Sequence, residues 1–162
     1  MIDADSHAGR CGGPTLSLVV LRHRPGPGFD RGTHHRDVAV HWDWMFELSQ
    51  DGDDDDRCLR TYATPVIIET SATSTEQWLD NLARRQLSDG PISAERLPNH
   101  RRRYLRYEGG LSGDRGRVDR IVSANHHVVR DQVDRFETLV ENHLISFVNH
   151  SSSWTVEVSK RC

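Results

Sequence analysis

Cysteine is scarce in this chain: Cys11, Cys58 and Cys162 are the only three among 162 residues. An odd count argues against a disulfide framework, and the spacing fits no metal knuckle, so a reducing compartment is expected. None of the three has a nucleophile's setting, since Cys162 is the last residue and Cys58 borders an acidic run. Long apolar runs are missing as well. The longest, Leu16–Leu21, is broken by Ser17, and the mean hydropathy of −0.67 argues against a membrane span. Met1–His7 is acidic and polar, so no secretory leader is expected, and the location read from this is cytoplasmic. Neither a G-x-S-x-G nor a Walker sequence occurs, which removes serine-hydrolase and P-loop NTPase chemistry. No internal repeat is evident.

Excess positive charge is also lacking. With 21 basic and 24 acidic residues the net charge is −3, which excludes a globally basic nucleic-acid binder. The mean hides an asymmetry. Residues 47–56 carry six acids and no base, whereas residues 95–120 carry eight arginines against four acids. A polyanion can meet the second segment, although a solvated face is the simpler reading. Asp51–Asp56 lacks the register and closing Glu of a calcium loop, and reads as a solvated turn between strands.

What is present is the pattern of one mainly β domain, a small antiparallel β-barrel with one flanking helix. Residues 1–14 have no periodicity and read as a mobile tail; residues 15–162 read as the single domain. Leu16–Arg22 is a buried strand by composition, and the Pro- and Gly-rich stretch 24–36 a loop. Val38–Leu48 alternates, with Val38, Val40, Trp42, Trp44, Phe46 and Leu48 on one face and Ala39, His41, Asp43, Met45 and Glu47 on the other. Arg57–Ala63 reads as its return strand. Ser74–Leu87 is a helix, with Ser74 and Gln77 as capping box and Gly90 as its end. Further short strands are expected near Arg103–Tyr107, Arg117–Val122, His126–Val133, Thr138–Val140, His143–Val148 and Trp154–Val158. Tyr104 and Tyr107, set among arginines, have a nucleic-acid stacking reading beside a packing one, and Tyr107 is assigned to the core. The four tryptophans, Trp42, Trp44, Trp78 and Trp154, are assigned to packing, and His126 and His127 to a strand-edge surface.

His41 and Asp43 lie two apart on one strand, so both side chains point the same way, as two ligands of one metal require. The competing reading is a solvent-exposed pair facing away from the core.

His41–Leu48 (HWDWMFEL) resembles the H-[YW]-D-F-R-L-E strand of the 3′-phosphoesterase domain of bacterial ligase D, the end-joining DNA ligase. Four more blocks resemble that family in the same order: Leu18–His23 (LVVLRH), Leu59–Pro65 (LRTYATP), His100–Tyr104 with Tyr107–Gly109, and the closing strand from Trp154. The resemblance implies a small β-barrel holding a divalent metal, manganese foremost with zinc as the other candidate, that trims the 3′ ends of DNA. It places His23, His41, Asp43 and His100 at the metal site, with His100 and Tyr104 as catalytic groups. The family's spacing lands the first histidine on His35, but His23 ends the matching strand and is preferred. His34 and His35 otherwise read as a polar loop pair.

The departures concern the phosphate clamp. Met45 stands where the family has an arginine, Pro98 where it usually has a glutamate, and its Gly-rich segment shrinks to Leu111–Val118. Loss of a positioned guanidinium is expected to cost orders of magnitude in rate. Arg101, Arg102 and Arg115 are the candidate substitutes for substrate binding, with Arg102 sharing a face with His100 and Tyr104 if that stretch is extended. The implied function is a metal-dependent 3′-end phosphoesterase in DNA repair, with DNA 3′ ends and a DNA ligase or other repair protein as partners and no membrane. Two alternatives stand beside it: a catalytically impaired module binding DNA ends or repair proteins, and a metal-free scaffold with structural histidines.

Overall fold

A computed structural model describes residues 14–29, 39–69 and 72–162. His34, His35, Cys11 and nearly all of the expected tail lie outside the described residues. Among the described residues the elements are nine strands and one α-helix, besides a 3₁₀ turn: β1 (Leu16–Pro25), β2 (His41–Glu47), β3 (Leu59–Pro65), α1 (Thr75–Asp89), β4 (Ile92–His100), β5 (Gly109–Leu111), β6 (Gly116–Gln132), β7 (Arg135–Val140), β8 (His143–Asn149) and β9 (Trp154–Lys160). All pairings are antiparallel, in the order β1-β2-β3-β4-β9-β8-β7-β6-β5, and β6 pairs back onto β1. The result is a ring of eight strands with β5 on its margin and one flanking helix, as the sequence pattern predicts.

Two corner strands make the ring close. β4 pairs with β9 through Ile92–Ala94 and with β3 through Glu95–His100. β6 pairs with β1 along its first part and with β7 along its last. Each strand thus serves two half-sheets, which is how strands turn sheet corners. Pro98 is tolerated because it lies in an irregularity: Leu97 faces Thr61 and His100 faces Leu59, so Pro98 and Asn99 share one position opposite Arg60.

The main core is built from Trp42, Trp44 and Phe46 of β2, Leu18 and Val20 of β1, Tyr62, and the inward residues of β6 to β9. The buried side of α1 (Trp78, Leu79 and Leu82) joins it. Ser74 caps the helix as expected, accepting from the Gln77 N–H, while the Gln77 side chain accepts from Thr73. A smaller core covers the opposite face of β1 and β2: Val19, Leu21, Met45, Leu59 and Val118, with Tyr104, Leu105 and Leu111 packed on it.

That second core corrects several expectations. The His41-to-Glu47 face is not a solvated one; all seven residues of β2 are buried. Arg102–Leu105 forms one turn of 3₁₀ helix where a strand was expected, and this turn helps to roof the face. Because the stretch is not extended, Arg102 does not share a strand face with His100 and Tyr104. The strand β4 was not anticipated, and the two expected strands after residue 116 are the single strand β6. His126 is fully buried rather than at a surface, donating from Nε2 to the Glu47 carbonyl at 2.9 Å and lying 2.7 Å from Thr138 Oγ1. Tyr107 is 37% exposed rather than in the core. Trp42, Trp44 and Trp78 are buried, and Trp154 packs against the main core.

Candidate metal centre

Strand register assembles the site. β1 and β2 pair with His23 directly opposite His41 and with Leu21 opposite Asp43. Side chains opposite one another on one face of an antiparallel pair have Cβ atoms only about 5 Å apart. His23 therefore meets His41 across the pair, and Asp43 lies one pleat along on the same face. The ligand atoms of the three residues all lie within 4.8 Å of one another, and all three residues are buried. Asp43 reaches both imidazoles: Oδ2 is 3.6 Å from His23 Nδ1, and Oδ1 is 3.4 Å from His41 Nε2. Such a group could hold a metal ion.

Main-chain carbonyls settle which nitrogen of each ring is protonated. His23 Nε2 donates to the Arg115 carbonyl at 3.0 Å, and His41 Nδ1 donates to the Ala39 carbonyl at 2.9 Å. A carbonyl only accepts, so in the neutral ring the proton sits on the far nitrogen and the lone pair faces Asp43. This is the arrangement by which outer partners orient metal-binding histidines. His100 follows the same rule, with Nδ1 donating to the Pro98 carbonyl at 2.9 Å. It lies outside the three-residue group but lines the same cavity, and its charge acts on Asp43. Burial opposes ionisation of Asp43; when the rings are protonated, hydrogen bonds from His23 and His41, with the charges of His41 and His100, outweigh it and hold the carboxyl well below its ordinary range.

The cavity holds about 200 Å³, and its polar lining is His23, Asp43, His100, Tyr104 and Arg115. Phe29, Met45, Leu97 and Leu111 are among its apolar walls. Phe29 packs edge-on against His23, with ring centroids 4.7 Å apart, so part of the stretch read as a loop is a wall of the site. It is placed by a close backbone clasp. Gly28 N donates to the Asp114 carbonyl at 2.8 Å, and a Cβ on Gly28 would meet the Gly113 carbonyl oxygen at 1.8 Å. Gly116, at φ +108°, lets the chain approach Arg24, whose carbonyl oxygen a Cβ would meet at 2.0 Å. The clasp also fixes the Arg115 carbonyl that orients His23.

The arginines divide into two kinds. Arg102 is buried and committed: it pairs with Glu47 and donates to the Ser49 and Asp51 carbonyls at 2.5 and 2.6 Å. Glu47 accepts from Ser17 N with its other oxygen at 2.8 Å. This replaces the expected substrate role of Arg102 with a structural one. Arg115 is exposed at the mouth of the cavity, and Arg101 is exposed nearby, 3.8 Å from Asp55. The acidic turn is exposed, but Asp54 pairs with Arg106 and Asp55 with Arg103, so the two oppositely charged segments meet in space.

No family model matches the chain, and no curated protein matches it. No helix among the described residues is long and apolar enough to cross a membrane.

Neither Phe29 nor the glycine clasp was recognised from the sequence. The repeated glycines at 26, 28, 113 and 116 were the available signal, since close backbone contact excludes a Cβ.

Proposed function

We propose that the protein is a divalent-metal-dependent phosphoesterase acting on the 3′ ends of DNA, similar to the 3′-phosphoesterase domain of ligase D. The observation that carries this reading is the buried His23–His41–Asp43 group, its imidazole lone pairs turned inward, at one side of a cavity whose mouth carries a tyrosine and an arginine. Two imidazoles and a carboxylate suit a borderline divalent ion such as manganese or zinc, with positions left for water and a phosphate oxygen. A bound ion there would supply Lewis-acid polarisation of the phosphoryl group and a more acidic water.

The chain's own groups have distinct tasks in this reading. Asp43 keeps a negative charge in the cradle, and the Arg115 and Ala39 carbonyls keep both histidines in the ligating tautomer. His100, beside Tyr104 with ring centroids 5.7 Å apart, offers a nitrogen to the leaving oxygen or to a further ligand position. Tyr104 donates its hydroxyl to a phosphate oxygen, and Arg115 offsets developing charge from the mouth. Arg115 thus takes the part of the missing arginine, because Met45 is buried in the second core. The product, a 3′-hydroxyl end, is what a DNA ligase seals, which makes a ligase or another repair protein the expected partner.

A second reading is favoured by Met45 itself: a module that binds DNA ends without turning them over. One assay separates the two. A primer carrying a 3′-phosphate is incubated with manganese or zinc and resolved on a gel, with Asp43→Asn as control. Release of phosphate by the wild type but not by Asp43→Asn supports the enzyme. If the wild type binds metal and primer yet releases no phosphate with either ion, the enzyme reading fails and the binding module replaces it.

A further inference from the structure

Next to the metal cavity lies a second, more open depression of about 460 Å³, within the ~300–1,000 Å³ range of small-ligand sites. Its lining includes Arg101, Arg103, Tyr104, Tyr107, Ser112 and Arg115. It shares Tyr104, Leu111 and Arg115 with the metal cavity, so the two are continuous. The lining carries three guanidinium groups and no carboxylate; Asp55, outside it, lies against Arg103 and 3.8 Å from Arg101, while Arg115 donates to the Ser112 carbonyl at 2.8 Å and hydroxyl at 3.0 Å. This groove is therefore positive on a protein whose net charge is −3. The Tyr107 ring is exposed and stands perpendicular to Tyr104, with centroids 6.1 Å apart. Its hydroxyl donates to the Gly110 carbonyl, which fixes the ring before any ligand arrives.

We propose that this groove binds a single strand of nucleic acid leading into the metal cavity, one base stacked on Tyr107 and the flanking phosphates on Arg101, Arg103 and Arg115. An aromatic ring among arginines is the combination that holds single strands without reading sequence, because every base has a π face and every nucleotide a phosphate. A duplex stacks its bases on one another and exposes a base face only at a terminal pair, so the groove favours single strands. The direction of the strand rests on the phosphoesterase reading; the binding itself does not.

The test measures binding in EDTA, where the metal cradle plays no part. Fluorescence anisotropy of a 5′-labelled oligothymidylate is compared with that of a blunt DNA hairpin of equal length, across a salt series. The wild type is expected to bind the oligothymidylate more tightly than the hairpin. Tyr107→Leu is expected to weaken single-strand binding about tenfold, whereas Tyr107→Phe, which keeps the stacking face and loses only the hydroxyl's hold on Gly110, is expected to weaken it less. Arg115→Ala is expected to reduce the slope of log affinity against log salt by about 0.7, one phosphate contact on a single strand. Melting curves confirm that each variant is folded. Equal affinity of Tyr107→Leu, Arg115→Ala and wild type, tighter binding of the hairpin, or no binding by the wild type overturns the proposal. The metal-induced change in Tm, read on the same Tyr107→Leu protein, separates the two readings: an intact metal response with unaltered strand binding defeats the groove alone. Strand binding that depends on Tyr107 in a wild type without metal response defeats the phosphoesterase reading alone.

Discussion

Replacing Arg102 with methionine distinguishes a structural arginine from a substrate-binding one. The guanidinium is nearly enclosed, with about 10% of its side chain exposed against 6% for Glu47, and it donates to that carboxylate and to two main-chain carbonyls. Arg102→Met leaves the Glu47 carboxyl group buried and without its counter-ion, a situation that costs roughly 3–5 kcal/mol. In a domain of this length, that corresponds to a fall in Tm of roughly 10 °C. Glu47→Gln keeps an oxygen for the Ser17 N–H but removes the charge, so the double variant should lose about half as much as Arg102→Met alone. The exposed pair Arg85–Asp89 on α1 supplies the contrast, since Arg85→Ala should cost no more than about 0.5 kcal/mol. Urea unfolding of the four proteins measures each term. Equal losses for Arg102→Met with and without Glu47→Gln would refute the buried-charge argument. A Tm unchanged to within about 1 °C, together with lost phosphate release, would return Arg102 to the substrate.

Three further outcomes are expected. Saturating manganese or zinc at about 100 times Kd should raise stability by about 2.7 kcal/mol, roughly 5–10 °C in Tm, and His41→Ala should abolish the rise; an unchanged Tm with either ion argues against a metal at the cradle. Burial pushes His126 from its ordinary 6.5 down to about 4, so between those pH values the unfolded chain takes a proton that the folded protein refuses. Its share of stability is full above about pH 6.5 and falls by roughly 2–3 kcal/mol by pH 4.5, a loss that urea midpoints should show in the wild type and not in His126→Gln. Gly116→Ala forces a side chain against the Arg24 carbonyl at positive φ and should cost a few kcal/mol; because the clasp holds the carbonyl that orients His23, calorimetry should also show weaker metal binding.

Periodicity by itself determined much of this protein. The alternation of β2 set Trp42, Trp44 and Phe46 against His41, Asp43 and Met45, because successive side chains on a strand point to opposite faces whatever surrounds them. Ser74 and Gly90 bounded α1 for an equally local reason, the unpaired backbone groups at helix ends. His41 and Asp43 were legible as a ligand pair since the two-residue spacing is itself the geometry. Pairing and burial were not local. His23 joined the pair through the β1–β2 register, which no residue within either strand encodes. β4 was hidden because it runs through Glu95, Arg96 and Pro98, and its extended form comes from β3 and β9 on either side. Arg102 looked like its neighbours Arg101 and Arg103 in a run of three arginines. Only the 3₁₀ turn pointed it inward to Glu47, 55 residues earlier in the chain, and left the other two in the groove. Sequence determines which way a side chain points from its own backbone; tertiary structure decides what it meets there, because electrostatics and burial depend on distance in space.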